Sequence, residues 1–260
     1  MDQLKRPPSR AEMKQIRALH QRKQREAQGL FLAEGVRGVE DLLASPLAIR
    51  MVLVASSLED NPRGQLLLDG VGQRGIPVCQ VFDAELADLA GTDTPQGIIA
   101  VAETPSATLR TLDALPGDAV LLLLDAVQDP GNLGTLVRTA EALGAGGVIL
   151  LPGTVDPWNP KAVRAAVGSA FRLPMIAAEW RELAPWLREQ DYRVFAAAAG
   201  GVPIQRPDGR VALVVGNEGA GVSPATMEHA DVRVGIPLRG RAESLNVAAA
   251  AAILLYELLR

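Results

Sequence analysis

The last 26 residues place the strongest constraint on how this 260-residue chain can fold. A strand predicted for residues 232–236 ends at Pro237, which has no N–H group with which to continue a sheet. A polar loop follows, and Ser244 stands where the N-cap of the last helix is expected. That helix is almost entirely Ala, Ile and Leu, so most of its circumference must be buried. The segment therefore predicts a buried helix whose first turn forms the wall of a pocket.

Apolar runs in the second half of the chain alternate with predicted helices. Residues 119–124 form a continuous apolar run, as expected for a parallel strand that is covered on both faces. This strand and those predicted at 211–215 and 232–236 each lead into a polar loop. The pattern predicts an α/β domain, a mostly parallel sheet with helices on both faces. Ligands of such sheets bind beyond the carboxyl ends of the strands, where these three loops fall.

The first half of the chain carries a smaller α/β pattern. Its predicted strands are residues 31–35, 50–55, 76–82 and 97–102. Residues 105–118 contain two prolines and predict a linker, and two domains are expected for this length. We therefore predict a smaller α/β domain over residues 1–104, a linker over 105–118 and the larger domain over 119–260.

The charge is unevenly distributed along the chain. The net charge of −4 alone disfavours a nucleic-acid partner. Residues 1–28, however, hold eight Lys and Arg against three Asp and Glu, and residues 10–28 are predicted to form one basic helix. Such a helix is typical of a surface that contacts phosphates, and a solvated helix face is the alternative. The candidate phosphate-binding residues are Arg17, Arg22, Lys23 and Arg25.

Metal, disulfide and membrane functions are disfavoured. Cys79 is the only cysteine, and His20 and His229 have no neighbouring ligands, so no internal disulfide and no metal site are expected. No apolar segment approaches the length of a membrane span or resembles a signal peptide, so we expect a cytoplasmic protein without a membrane partner.

The three polar loops, with the helix that follows the first of them, supply the candidate site residues, which are Asn132, Arg138, Glu218, Ser244 and Asn246. No strand-to-helix junction carries G-x-G-x-x-G or a P-loop, which removes the best support for a dinucleotide or nucleoside triphosphate. Structural alternatives exist for three of the five. Asn132 and Ser244 are good N-caps, and Arg138 can pair with Glu141 three residues later.

These loops resemble the three motifs of the SpoU (TrmH-type) ribose 2'-O-methyltransferases of the SPOUT superfamily. The matching residues are Pro130-Gly131-Asn132-Leu133-Gly134 with Arg138, then Gly216-Asn217-Glu218-Gly219, then Ile236-Pro237 with Ser244-Leu245-Asn246-Val247. Their order and spacing agree with the family over the whole second half. The first half resembles the substrate-binding domain of many members, an α/β RNA binder similar to ribosomal proteins.

The resemblance implies a deep C-terminal trefoil knot and a homodimer whose two active sites draw on both subunits. It implies S-adenosylmethionine as cofactor, held by Gly216, Ile236 and Leu245 with Asn246 adjacent. It further implies that Arg138 acts as the base or orients the ribose hydroxyl. Asn132, Glu218, Ser244 and Asn246 then position the ribose, the phosphate and the arginine.

The resemblance also decides the expected substrate and leaves alternatives open. Because a guanidinium stays protonated, Arg138 has a second interpretation, in which it neutralises a phosphate while that phosphate or a water takes the proton. The basic N-terminal helix is then predicted to contact RNA, with ribosomal RNA favoured over tRNA. The alternatives are a tRNA 2'-O-methyltransferase, a non-catalytic RNA-binding protein that retains the fold, and a Rossmann-like nucleotide enzyme.

Overall fold

The computed structural model describes residues 5–58, 61–92 and 94–260. The strands are β1 Lys5–Arg6, β2 Leu30–Glu34, β3 Ile49–Val54, β4 Val78–Gln80, β5 Ile98–Glu103, β6 Val120–Leu124, β7 Gly147–Leu150, β8 Met175–Ala177, β9 Tyr192–Pro203, β10 Arg210–Val215 and β11 Val232–Gly235. The helices are α1 Arg10–Ala18, α2 Arg22–Gln28, α3 Gly35–Leu43, α4 Pro62–Gln73, α5 Asp83–Leu89, α6 Pro130–Leu143, α7 Pro160–Ala166, α8 Trp180–Glu189, α9 Pro224–Met227 and α10 Val247–Leu259. No helix in these ranges is long and apolar enough to cross a membrane.

The chain folds into two compact units. The first comprises Met1–Pro105 and Trp158–Phe171, and the second comprises Ser106–Pro157 and Arg172–Arg260. Residues 158–171, which are predicted to belong to the second domain, pack within the first unit. The reason is aromatic packing, because the rings of Trp158 and Phe171 lie 4.6 and 5.7 Å from that of Phe31, which is fully buried.

The first unit is built on a five-stranded mixed sheet in the order β1-β4-β3-β5-β2. β4 runs parallel to both β1 and β3, whereas β5 runs antiparallel to both β3 and β2. Helix α1 covers part of this sheet, with Met13 and Ile16 packed in one core cluster with Leu32, Leu53 and Cys79. Cys79 is a free, buried thiol.

The prediction of one basic helix over residues 10–28 is wrong, because the chain forms α1 and α2 with a break between them. Ser9 caps the start of α1 by accepting a hydrogen bond from the Glu12 backbone N–H. The side chain of Arg25, only 3% exposed, donates to the Leu19 carbonyl oxygen at 2.6 Å. This bond satisfies a carbonyl at the end of α1 that the helix itself leaves without a partner.

The second unit is built on a six-stranded sheet in the order β11-β9-β10-β6-β7-β8, and all of its neighbouring strands are parallel. The predicted parallel α/β sheet is therefore confirmed. Every residue of β6 is buried, as its apolar run predicts. Leu183 and Leu187 of α8 pack in one core cluster with Leu121 and Leu123, while α6 packs against β7 and α10.

Two short regions differ from the sequence analysis. Residues 105–118 contain a 3₁₀ turn at Leu109–Leu112, and Leu112 is buried in the core cluster that contains Leu121, so this stretch is not simply a linker. The last helix begins at Val247 with Asn246 as its N-cap, whose Oδ1 accepts from the backbone N–H of Ala248 at 2.9 Å. Ser244 is therefore not the cap of α10.

Candidate active site

The loop after β6 places the side chain of Asn132 toward the loop after β10. Asp129, not Asn132, caps α6, because its Oδ1 accepts from the Asn132 backbone N–H at 2.8 Å. The N-cap alternative for Asn132 is therefore wrong. Its Nδ2 instead donates to Glu218 Oε1 at 3.0 Å, and its Oδ1 accepts from Asn246 Nδ2 at 3.0 Å. Three loops that are distant in sequence thus meet through one amide.

The Glu218 carboxylate is the acceptor at the other end of this chain of hydrogen bonds. It also accepts from the backbone N–H groups of Gln128 and Asp129, at 3.2 and 3.1 Å. Partial burial acts to raise the pKa of Glu218, but the bonds from Asn132, Asp129 and Gln128 outweigh it, so the pKa lies below its ordinary value. Ionised Glu218 therefore fixes which way the Asn132 amide faces, and Asn132 in turn orients Asn246.

A cavity of about 440 Å³ lies beside this cluster, between the middle of β9, the ends of β10 and β11 and the first turns of α10. Its walls include Gly216, Ile236, Ser244 and Leu245 together with Glu218, and apolar side chains such as Met227 and Leu254 line the rest. The size and the mixture of apolar walls with a few polar groups suit a ligand of nucleoside size.

Several glycines, Gly216 among them, form part of the cavity wall. A Cβ on Gly216 would lie 2.1 Å from the Gly221 carbonyl carbon, so only glycine lets the two chain segments approach this closely. Residues 236–245 form no backbone–backbone hydrogen bond with any residue that the structure describes. Their peptide groups are therefore available to a ligand, and this fits S-adenosylmethionine, which offers ring nitrogens, hydroxyls and charged groups to such partners.

Arg138 and Ser244 stand apart from the hydrogen-bonded cluster. Arg138 is exposed on α6, six residues beyond Asn132, which turns its side chain about 120° away around the helix. The alternative pairing with Glu141 is not observed, because Glu141 accepts from Arg172 Nε at 2.9 Å. Ser244 is exposed and lines the cavity. The structure therefore brings together Asn132, Glu218 and Asn246 and leaves these two outside their hydrogen bonds.

The candidate RNA-binding residues of the first unit have unequal surroundings. Arg17 lies 3.6 Å from Asp88, Arg22 pairs with Glu26 at 2.7 Å, and Lys23 is exposed. Arg25 does not fit the predicted role, because it is buried and holds the end of α1. Two further cations, Arg10 and Lys14, are exposed and are not among the predicted RNA-binding residues. Lys14 and Arg17 follow Arg10 by four and seven residues, a spacing that places all three on one face of a helix.

Within the part of the chain that the structure describes, no group of three or more His, Cys, Asp and Glu side chains is placed to hold a metal ion.

The lowered pKa of Glu218 predicts a pH-dependent stability. Ionised Glu218 stabilises the fold fully above its unfolded pKa of about 4.3, and this stabilisation is lost as the pH falls through the lower folded pKa. Glu218→Gln keeps the shape but sets an amide N–H against the donors. At neutral pH we expect the Glu218→Gln variant to unfold at a lower temperature than the wild type. Below about pH 4.3 this difference in unfolding temperature should shrink. Calorimetry across this range measures the difference, and a gap of constant size would contradict the prediction.

Comparisons with known proteins agree with this geometry. Residues 119–256 match the SpoU rRNA Methylase family, and residues 10–100 match the MRM3-like substrate binding domain. The chain is 39% identical over 249 residues to the 23S rRNA (guanosine(2553)-2'-O)-methyltransferase RlmP of Bacillus subtilis (strain 168). The matched region covers 95% of each chain. It is 32% identical to the 23S rRNA (uridine(2479)-2'-O)-methyltransferase of Streptomyces viridochromogenes, over 93% of this chain and 86% of that protein. An AdoMet-bound rRNA methyltransferase from Sinorhizobium meliloti superposes with a TM-score of 0.85 at 33% identity, over 97% of this chain and 96% of the other.

Proposed function

The chain belongs to the SpoU rRNA methylase family, and we infer that it transfers a methyl group from S-adenosylmethionine to a ribose 2'-hydroxyl of RNA. Ribosomal RNA is the favoured substrate, because two relatives that match more than nine tenths of the chain are named as 23S rRNA methyltransferases. The observation that carries the inference is the junction of Asn132, Glu218 and Asn246 beside a cavity that Gly216, Ile236 and Leu245 line.

A ribose hydroxyl is a weak nucleophile, so the protein must align it and assist the loss of its proton. S-adenosylmethionine supplies an activated methyl group when it is bound. Gly216, Ile236 and Leu245 would hold it through the cavity wall. Glu218 fixes the amide of Asn132, which fixes that of Asn246, so both amides meet a ribose or phosphate already oriented.

Proton removal is assigned to Arg138 or to a group that it orients. A guanidinium is essentially always protonated, so it is a poor base. We therefore assign Arg138 the role of neutralising a phosphate beside the 2'-hydroxyl, while that phosphate or a water accepts the proton. Ser244, which is exposed and lines the cavity, would hydrogen-bond the ribose or the phosphate.

The test is transfer of tritium from labelled S-adenosylmethionine to rRNA and tRNA that lack native modification. Nuclease digestion then locates the label. We expect label on a ribose 2'-oxygen of rRNA. Label only on tRNA would show that the protein is a tRNA 2'-O-methyltransferase. Cofactor binding without transfer to any RNA, assembly intermediates included, would contradict the proposed reaction. Absence of both transfer and binding would favour an RNA-binding protein that has retained only the fold.

The first unit is the proposed RNA-binding domain, as the match to a substrate-binding domain supports. Its contact surface would be the exposed face of α1, where Arg10, Lys14 and Arg17 lie, with Lys23 of α2. Positions four residues apart lie about 6 Å apart along a helix, which is similar to the spacing of phosphates along an RNA strand. Only 3% of residues are aromatic, so contacts to phosphates suit this chain better than base stacking.

Substitution of the α1 cations tests this surface. For Arg10→Ala/Lys14→Ala we expect RNA affinity to fall about 10-fold or more, and the slope of log affinity against log salt to become shallower by about 1 to 2. Filter binding at several salt concentrations measures both. Arg50→Ala/Arg74→Ala is the matched control, because those arginines pair with Glu103 and with the Leu43 carbonyl. An equal loss in both variants would place the RNA elsewhere.

We also propose the trefoil knot and the homodimer that the family resemblance implies. The knot is supported by the match of residues 119–256 to the SpoU rRNA Methylase family. Helix α10 leaves Ile253 and Tyr256 exposed by 43% and 54%, one turn apart, as a face that a second copy would cover. A ribosomal RNA substrate fits the expected cytoplasmic location, which stays a prediction.

The dimer makes a direct prediction for α10. Ile253→Arg/Tyr256→Arg places two charges on the proposed contact, and we expect the sedimenting mass to fall from that of two chains to that of one. If the sites draw on both subunits, methyl transfer should fall with it. Leu66→Arg is the matched control, because Leu66 is 73% exposed on α4. A wild-type monomer with full activity would refute both the dimer and the shared site.

A further inference from the structure

Ala126, two residues beyond β6, has a backbone conformation that residues with a Cβ rarely adopt. Its φ is +56°, and among non-glycine residues in the described part of the chain only Val167 and Asp191 also have positive φ. Such a conformation costs free energy unless neighbouring contacts hold it. Both neighbours of Ala126 are fixed, because Asp125 accepts from the Ser223 backbone N–H at 2.7 Å and Val127 accepts from that of Val155 at 2.9 Å.

The side chain of Asn217 fixes the carbonyl group between these two anchors. Its Nδ2 donates to the Ala126 carbonyl oxygen at 2.9 Å. Its Oδ1 accepts from the backbone N–H groups of Gly219 and Ala220, both at 2.9 Å. One amide therefore joins the loop after β6 to the glycine-rich turn that carries Glu218. Only a side chain that both donates and accepts can make this bridge, which excludes aspartate.

The bridge determines where the two loops meet Glu218. The turn at Ala126 directs the next residues so that the backbone N–H groups of Gln128 and Asp129 point at the Glu218 carboxylate. On the other side, the Asn217 bonds to Gly219 and Ala220 close the turn that presents that carboxylate. If the bridge is lost, Ala126 can relax to a negative φ, which carries the N–H groups of Gln128 and Asp129 away.

We propose that Asn217 is a positioning residue for methyl transfer: by clamping Ala126 in its left-handed conformation, it holds the donors that fix Glu218 and, through Glu218, Asn132. The proposal rests on the proposed function, because Glu218 and Asn132 belong to the proposed catalytic cluster. The competing role is direct contact with a reactant, since Asn217 also lines the cavity.

Two substitutions at Asn217 separate its bond to the Ala126 carbonyl from its bonds to the backbone N–H groups of Gly219 and Ala220. Asn217→Ala removes both sets of bonds. Asn217→Asp keeps acceptors for Gly219 and Ala220 but sets a carboxylate oxygen against the Ala126 carbonyl, so only the clamp is lost. A third variant, Asn217→Ala/Ala126→Gly, removes the clamp and also the need for it, because glycine adopts a positive φ without strain.

We expect Asn217→Ala to lower kcat about 10- to 100-fold, since small displacements at a reacting centre have effects of this size. Amide exchange of Gln128 and Asp129 should quicken about 10-fold or more as their bonds to Glu218 open. Ala126→Gly in the same chain should recover a large part of both losses. Asn217→Asp should lower kcat while S-adenosylmethionine affinity stays within about 3-fold, because the turn beside the cavity remains closed.

Each outcome decides the proposal. Loss of kcat with unchanged exchange at Gln128 and Asp129, or no recovery on adding Ala126→Gly, would overturn it in favour of direct contact. Exchange is measured without RNA or cofactor, so the clamp is tested even if the wild-type protein transfers no methyl group, which would defeat the proposed function instead. If Asn217→Ala fails to fold, Asn217→Asp supplies the same two readouts.

Discussion

Arg138→Ala should lower kcat for methyl transfer about 100- to 1,000-fold, the loss expected when a charged group that stabilises the transition state is removed. S-adenosylmethionine binding should stay near that of the wild type, because Arg138 does not line the cavity. Stability should change little, since Arg138 is exposed and forms no ion pair with a residue that the structure describes. Single-turnover kinetics and calorimetric titration of the cofactor measure the two quantities separately.

Two controls sharpen this result. Arg138→Lys keeps the charge and removes the planar, forked donors, so partial activity would favour phosphate neutralisation over oriented hydrogen bonding. Glu141, on the same helix as Arg138, pairs with Arg172. Glu141→Gln breaks this surface pair and should cost less than about 1 kcal/mol of stability, without a comparable loss of transfer. Normal turnover by Arg138→Ala would remove this residue from the catalytic assignment.

Gly216→Ala should abolish cofactor binding at concentrations that saturate the wild type, a fall in affinity of about 100-fold or more, equivalent to about 3 kcal/mol. The added Cβ would lie 2.1 to 2.2 Å from backbone atoms of Gly221 and Val222, and backbone cannot move aside as a side chain can. The turn after β10 must open, which also destabilises the fold by about 1–3 kcal/mol. Titration calorimetry and thermal unfolding measure these effects.

Gly219→Ala is the matched control for stability within the same turn. A Cβ there would meet only Asn217 Oδ1, at 3.7 Å, which is ordinary contact. Its unfolding free energy should remain within about 0.5 kcal/mol of the wild type. If Gly216→Ala and Gly219→Ala proved equally stable, the close approach of Gly216 to Gly221 would not be the constraint described.

The meeting of Asn132, Glu218 and Asn246 was predictable because it follows from sheet geometry. Their loops leave β6, β10 and β11 at the carboxyl ends of parallel strands, which lie at one edge of a sheet. The sequence could not reveal which atoms bond. Asn132 and Asp129 are both suitable N-caps, and so are Ser244 and Asn246, so the choice depends on which side chain another loop engages.

The errors have a different physical origin. The local sequence around Arg25 predicts a surface cation. Its burial depends on the Leu19 carbonyl, which becomes available only where α1 ends. Strand β8 and helix α8 are not among the predicted elements, since β8 has only three residues and α8 contains Pro185. Likewise, nothing local to residues 158–171 shows that their aromatic rings pack on Phe31.

That last packing has a consequence for the order in which the protein can assemble during synthesis. Phe31 is fully buried, and the rings of Trp158 and Phe171 that lie against it belong to a segment made after β7. A ribosome that has released only the first 105 residues therefore presents an unfinished unit with an apolar surface open to water. The N-terminal unit therefore cannot complete its core until translation has passed residue 171, although most of its residues are synthesised before those of the second unit.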